Sequence, residues 1–253
     1  MIAQLPMYLR PENQDAHDAL WALIRSGLRE RGIEAPERLD TREHYETVWG
    51  REDLVLSQVC NLPLRGTHKN KLTLIGACDY DLEDCLPGYY RSLFVVRRDN
   101  PAGSPFDLDG ATLAYNDTNS HSGFAAPLIW AQKRGMRFLP TRHTGAHANS
   151  ATAVVNGDAE LACIDAQTWR DLSLCKTDMR ELKVIGATEP TPGQTFCTRA
   201  GEDAGLYFTA IEAAIDALPY KHKILLGLRA IVALEPSAYD LPLPPLCAAF
   251  NNA

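Results

Sequence analysis

The chain has no apolar run long enough to span a bilayer, and its start, Met1 to Arg10, lacks a basic segment followed by an apolar one. Direct membrane insertion is therefore not expected. Residence is expected to be periplasmic if a leader peptide has been removed and cytoplasmic if the chain is complete as written. Positive charge is also short, with 25 Lys and Arg against 32 Asp and Glu and a net charge of −7. A broad grip on nucleic acid needs clustered cations. Nucleic acid is not an expected partner, and an anion would have to be caught by a few pre-aimed donors. The seven cysteines, at 60, 78, 85, 163, 175, 197 and 247, contain no CxxC pair. They read mainly as reduced, buried small hydrophobes, although Cys78 and Cys85 are close enough in sequence to be tied in an oxidising compartment. No GxSxG, Walker A or HExxH motif occurs, so no catalytic residue is assigned and no cofactor is called for. His143 and His147 are four apart, yet Gly145 between them breaks helical geometry, so no metal pair is assigned.

What is present is an ordinary globular composition, 45% hydrophobic and 23% charged over 253 residues, enough to bury a substantial core. Apolar residues at 16, 20, 23, 24 and 28 form a helical stripe stopped by Gly32, and Asp40 with Glu43 reads as a capping box opening a short helix that Gly50 ends. Leu54 to Val59, Leu72 to Ala77 and Leu93 to Val96 read as strands, followed by a turn-rich stretch from Asp99 to Gly110. The rhythm then repeats: strand Thr112 to Tyr115, helix Ser122 to Arg134, strand Met136 to Leu139, helix Ala148 to Val155, strand Glu160 to Ile164, strand Glu181 to Ala187. Helices near Asp203 to Leu218 and His222 to Leu228 follow, then an irregular tail from Pro236. The expected class is α/β, with two lobes, each a mostly parallel sheet flanked by helices. One lobe spans 1–94 and 190–253, the other 95–189, with a hinge near 93–97 and 185–192. In such sheets ligands sit at the carboxyl ends of strands, where loops meet helix N-termini.

Tyr115-Asn116-Asp117-Thr118-Asn119-Ser120-His121-Ser122-Gly123 leaves a strand and enters a helix through small polar residues. Unpaired N–H groups and rotatable hydroxyls at such a junction suit an anion, and Gly123 allows close backbone approach. Ser and Asn are also the preferred caps of any helix, so ordinary capping stands beside that reading. Thr144 to Ser150 opens the next helix, with His147 as a second donor or a mere cap. Asp165, ending a strand, would accept from a ligand's amine or cap the helix through Trp169. In the first lobe Ser57, Gln58, Tyr80 and Tyr8 put hydroxyl and amide groups near strand ends, or pack there.

Tyr90-Arg91-Ser92-Leu93-Phe94-Val95-Val96-Arg97, then Asp107 to Gly110, then Tyr115-Asn116-Asp117 through Ser122-Gly123 resemble consecutive blocks of the phosphate/phosphonate-binding family of ABC transporter substrate-binding proteins. The resemblance extends upstream to Leu56 to Cys60 and downstream to Gly145 to Ser150, Cys163 to Asp165 and Pro190 to Pro192, covering about Leu5 to Thr198. It implies a type II periplasmic-binding-protein fold that encloses a small anion in an interlobe cleft by hinge closure. Ser120, His121 and Ser122 would hold the oxyanion, with His147 beside them and Asp165 and Tyr80 nearer its substituent. It implies ABC transporter membrane subunits as partners. Two positions depart from the pattern: His121 stands where phosphonate binders usually carry a small hydroxyl residue, and Asn61 where relatives tend to have glycine. An enzyme on the same scaffold, of the thiamine-precursor or menaquinone-pathway type, and a cytoplasmic ligand sensor are the competing readings.

Overall fold

A computed structural model describes residues 1–245. The described chain divides into two compact units, Met1–Tyr89 with Pro192–Asp240, and Tyr90–Thr191 joined by the segment from Leu241. The first begins with β1 (Ile2–Ala3), α1 (Gln14–Glu30), α2 (Tyr45–Val48), β2 (Leu54–Val59), α3 (Asn61–Arg65), β3 (Leu72–Asp79) and β4 (Tyr89–Tyr90). The second holds β5 (Ser92–Arg97), β6 (Thr112–Tyr115), α4 (Ala126–Gln132), β7 (Leu139–His143), α5 (His147–Asn156), β8 (Leu161–Asp165), α6 (Ala166–Cys175), β9 (Leu182–Ala187) and β10 (Thr191–Pro192). The chain returns through β11 (Thr195–Arg199), α7 (Ala204–Ala217), α8 (Tyr220–Leu226) and β12 (Ala230–Val232).

The first unit's sheet has the order β1-β2-β11-β3-β12 and the second's β7-β6-β8-β5-β9. In the second, β6 is parallel to β7 and β8, while β5 runs against β8 and β9. In the first, β1 is parallel to β2, and β11 runs against β2 and β3. In each sheet an interior antiparallel strand follows directly on one of the two crossings, β5 (between β8 and β9) after Tyr90 and β11 (between β2 and β3) after Pro192. A strand fed from a crossing enters its sheet without the right-handed helical crossover that would make it parallel.

Alternation sets the layers. On β5, Phe94 joins a cluster with Leu113, Trp130, Phe138, Leu161 and Cys163, while its neighbour Val95 joins one with Ala114, Val154, Ala162 and Ile164. The sheet is thus covered on both faces, as the near-continuous apolar runs require. The stripe on α1 buries Ala16, Leu20, Ile24 and Leu28. Gly157, at φ +80°, ends α5 in the left-handed conformation that glycine adopts without steric cost.

Four local readings are corrected. Asp40 does accept the N–H of Glu43 at 2.8 Å, but Glu43 turns its carboxylate to Arg51 instead of back to the cap, so the pair closes a turn and the helix starts only at Tyr45. The strand expected at Met136 to Leu139 lies at Leu139–His143, because Phe138 is buried in the core while β7 is an edge strand paired with β6 alone. The stretch after Gly193 carries β11, central to its sheet, and Ala230–Val232 adds β12, neither of which was expected. Cys78 and Cys85 are not joined by a disulfide, nor is any other described cysteine in one; Cys175 is exposed and Cys85 half-buried, against the expectation of burial. Cys247 lies outside the described residues, as does the end of the proline-rich tail.

Candidate functional site

The junction leaving β6 contains a π-type helical turn. Ser120 stands in extended conformation and its Oγ accepts the N–H of Gly123 at 3.2 Å, capping the helix start. His121–Ala125 then form one wide, π-type turn, with the Ala125 N–H bonded to the Ser120 carbonyl at 3.1 Å, before α4 continues as a regular helix. Pro127 has no N–H to give to the carbonyl four residues back, which fits the first turn of a regular helix and loosens the turn before it. Ser120, His121 and Ser122 are all buried.

Four further groups meet this turn. Ser122 Oγ and His147 Nε2, the latter from the first residue of α5, are hydrogen-bonded at 2.8 Å. His121 Nε2 lies 3.1 Å from Thr191 Oγ1 on β10, and its ring is 6.2 Å from that of Tyr90. Gly123 has no room for a side chain: a Cβ there would lie 2.0 Å from Asn116 Oδ1 and 3.0 Å from His147 Cε1. Asn116 Oδ1 and His147 Nδ1 are buried with no hydrogen-bond partner among the described residues.

Burial pushes the His147 imidazole down to about 4, so it is neutral at pH 7. A neutral ring carries one N–H, and placing it on Nε2 leaves only a lone pair at the enclosed Nδ1. His147 then donates to Ser122 Oγ, and the serine proton is free to point at a ligand oxygen. The depressed value has a pH consequence. Above pH 6.5 the histidine is neutral in both folded and unfolded chain; as pH falls from 6.5 toward 4 only the unfolded chain takes up the proton, so stability is lost across that window, by at most about 3 kcal/mol. His17, also lowered by burial, acts in the same direction. Urea midpoints are expected to fall between pH 7 and 4.5, and less steeply in His147→Gln; an unchanged slope in the variant would mean that His147 is not the group responsible.

The remaining sequence-chosen residues sit as follows. Asp165 ends β8 and accepts the N–H of Thr168 at 2.9 Å, which makes it the cap of α6, with the carboxylate buried. In the first unit, Ser57 Oγ accepts from Trp49 Nε1 at 3.3 Å. Gln58 Nε2 donates to Cys78 Sγ at 3.5 Å, and Tyr80 bonds the same thiol. Tyr8, at φ +65°, meets Tyr80 edge to face at 5.0 Å. The structure therefore gathers Asn116, Ser120, His121, Ser122, Gly123 and His147 at one point of the second unit, and Gln58 and Tyr80 at Cys78 in the first, with Tyr8 against Tyr80. One residue was missed: Thr191, the partner of His121, was hidden in a proline-rich turn.

The chain matches, over residues 83–231, the family described as ABC transporter, phosphonate, periplasmic substrate-binding protein. No curated protein matches it. Among solved structures it is similar to PhnD1 from Prochlorococcus marinus in complex with methylphosphonate, with 18% identity, TM-score 0.67, and coverage of 90% of this chain and 91% of that one. A binding protein component of an ABC phosphonate transporter from Pseudomonas aeruginosa aligns at 15% identity and TM-score 0.66, covering 94% of this chain and 82% of that one. A Xanthomonas citri protein bound to ATP aligns at 18% identity and TM-score 0.63, covering 89% and 90%. At these identities the likeness establishes the fold, the α/β fold of the periplasmic binding proteins. The family match covers more than half of the sequence, and the chain belongs to the ABC-transporter periplasmic substrate-binding proteins of the phosphonate family.

Proposed function

We propose that the chain captures a phosphonate or a related small oxyanion such as phosphate and presents it, unaltered, to the membrane subunits of an ABC transporter. Ser120, His121 and Ser122 bind the anion at the helix start, with His147 setting the Ser122 hydroxyl. The observation that carries this reading is the Ser122–His147 hydrogen bond at the mouth of a helix whose third residue, Gly123, is packed bare. A neutral imidazole donating to a serine leaves the hydroxyl proton free to be donated onward, and a helix N-terminus adds N–H groups and a partial positive charge, so both favour negative oxygen. A net charge of −7 offers no general attraction for anions, which makes such local donors the natural device.

Two features support capture without chemistry. Burial holds the Cys163 thiol protonated, far above the range of a reactive thiolate, and Asp165 is engaged as a helix cap. No described helix is long and apolar enough to cross a membrane. In this reading transport depends on separate membrane-spanning and ATP-hydrolysing chains.

Isothermal titration against methylphosphonate, phosphate, phosphite, sulfate and small carboxylates tests the proposal. One oxyanion class is expected to bind and to be recovered unchanged by 31P NMR. Ser122→Ala is expected to weaken it about 10- to 100-fold, the worth of one hydrogen bond to a charged group. A converted product would move the assignment to an enzyme, and undiminished affinity in Ser122→Ala would remove the helix start from the binding site.

A further inference from the structure

One short helix of the first unit presents its apolar residues to solvent. α8 is entered through Pro219, whose carbonyl accepts the N–H groups of His222 at 2.8 Å and Lys223 at 3.1 Å, and it is closed by Gly227 at φ +65°. At about 100° per residue, Tyr220, Lys221, Ile224 and Leu225 fall on one face of the helix and Leu226 on the other. Leu226 is the buried member, whereas Tyr220, Ile224 and Leu225 are 76%, 56% and 45% exposed. Packing onto the unit thus accounts for Leu226 and leaves the other three without a role in the core. Among the described residues, the remaining exposed large apolar side chains of this unit, Met1, Leu86 and Leu206, are scattered along the chain.

The charge of this segment has one sign. From Ala217 to Leu234 there is no acidic residue, in a chain with more Asp and Glu than Lys and Arg, and the stretch carries Lys221, Lys223 and Arg229. Lys221 is exposed and has no ion-pair or hydrogen-bond partner among the described residues. Lys223 donates to the backbone carbonyl of Asp216 at 3.0 Å, an acceptor that does not neutralise it. Arg229 reaches Asp81 at 4.0 Å, an exposed pairing that holds little.

Exposed Tyr, Ile and Leu flanked by cations call for an occupant that is apolar beneath and negative at its surface. Three side chains fall far short of the roughly 800 Å² that each partner gives to a stable protein interface. The headgroup region of a bilayer needs no matching contour. Ile and Leu can enter the acyl boundary, a tyrosine ring sits at headgroup level, and Lys and Arg extend their stems toward lipid phosphate. We propose that α8 is a membrane-contact element that rests the first unit on the surface of an anionic phospholipid bilayer without spanning it. The contact is reversible, because each cation near such a surface strengthens partition only about fivefold. It uses residues of the first unit alone and no bound ligand, so it stands or falls independently of the oxyanion reading.

Flotation of the ligand-free protein with vesicles of phosphatidylcholine alone, or of phosphatidylcholine mixed with phosphatidylglycerol, tests this. The wild type is expected to partition at least about fivefold more strongly onto the anionic vesicles, and to be released at about 1 M salt, where the Debye length is about 3 Å. Lys221→Glu, which reverses one charge, should lower partition onto them at least about fivefold, and Ile224→Ser combined with Leu225→Ser about tenfold. These positions are exposed, so urea midpoints of the free protein should stay near the wild-type value. Lys221→Glu, which removes no buried contact, carries the test should the serine pair fold poorly. Absence of flotation, or equal flotation on both vesicle types that neither variant changes, would overturn the proposal. A dimer in sedimentation velocity that the serine pair disperses would assign the face to a second copy of the chain instead. Attachment only to vesicles that hold the transporter's membrane subunits would assign it to a protein partner, and the lipid contact would likewise be overturned.

Discussion

Gly123→Ala is expected to lower oxyanion affinity on the order of 100-fold while changing stability by no more than about 2 kcal/mol. The added methyl group would fall 2.0 Å from Asn116 Oδ1 and 3.0 Å from His147 Cε1, both too close to tolerate. The φ of Gly123 is not in the left-handed region, so alanine's backbone preference is not violated, and in a helix alanine gains up to about 1 kcal/mol over glycine. Relief must come from the two side chains. Asn116 Oδ1 is enclosed, so it gives way by rotating the whole carboxamide, and the imidazole must tilt away from Ser122, breaking the 2.8 Å bond that orients the hydroxyl. Helix and fold survive while the donors lose their aim. Titration with the preferred oxyanion, alongside a urea denaturation of the free protein, checks both halves. Wild-type affinity in Gly123→Ala would show that the close packing of Asn116, Gly123 and His147 plays no part in holding a ligand.

Strands buried on both faces were legible as unbroken apolar runs, and α1 was legible from its one-sided stripe. Leu54–Val59 and Leu161–Asp165 are buried at every position and were located to within a residue. β7 was displaced because its side chains face solvent at Leu139, Thr141, Arg142 and His143, and an edge strand of that kind carries no hydrophobic signal. β11, Thr195–Arg199, was overlooked since it follows Pro190, Pro192 and Gly193, punctuation that reads as loop, although in the sheet it lies between β2 and β3. At the candidate site the same contrast holds. Ser120, Ser122, Gly123 and His147 announced themselves by residue type at strand-to-helix junctions. The pairing of Ser122 with His147 did not, because two residues 25 positions apart meet only when β6 and α5 are placed. Ser57 was chosen for its hydroxyl, which in the fold accepts from the Trp49 indole. Residue type alone does not say which side of a strand faces the neighbouring indole.

The largest effect on stability is expected from Phe94→Ala, a loss of about 3–5 kcal/mol. Phe94 is fully buried at the centre of β5, which is hydrogen-bonded to β8 on one side and β9 on the other. Its ring packs 4.9 Å from Trp130 and 5.7 Å from Phe138, so removal opens a cavity walled by two aromatic rings, one on α4 and one just before β7, that cannot both collapse into it. Phe94→Leu, which keeps most of the volume, should cost far less, and Val184→Ala, at a partly exposed position facing Val95 across the same ladder, should shift stability by about 0.5 kcal/mol at most. Urea denaturation followed by circular dichroism ranks the three, and a loss below about 1 kcal/mol for Phe94→Ala would contradict the rigidity assigned to this core. The same core cluster contains Tyr115 and Phe124, the residues that lead into and out of the Ser120–Gly123 junction. Loosening it should therefore also weaken oxyanion binding, unlike Val184→Ala. Because a ligand that binds only the folded chain stabilises it by mass action, saturating oxyanion should raise the Phe94→Ala midpoint, by less than it raises that of the wild type at the same concentration.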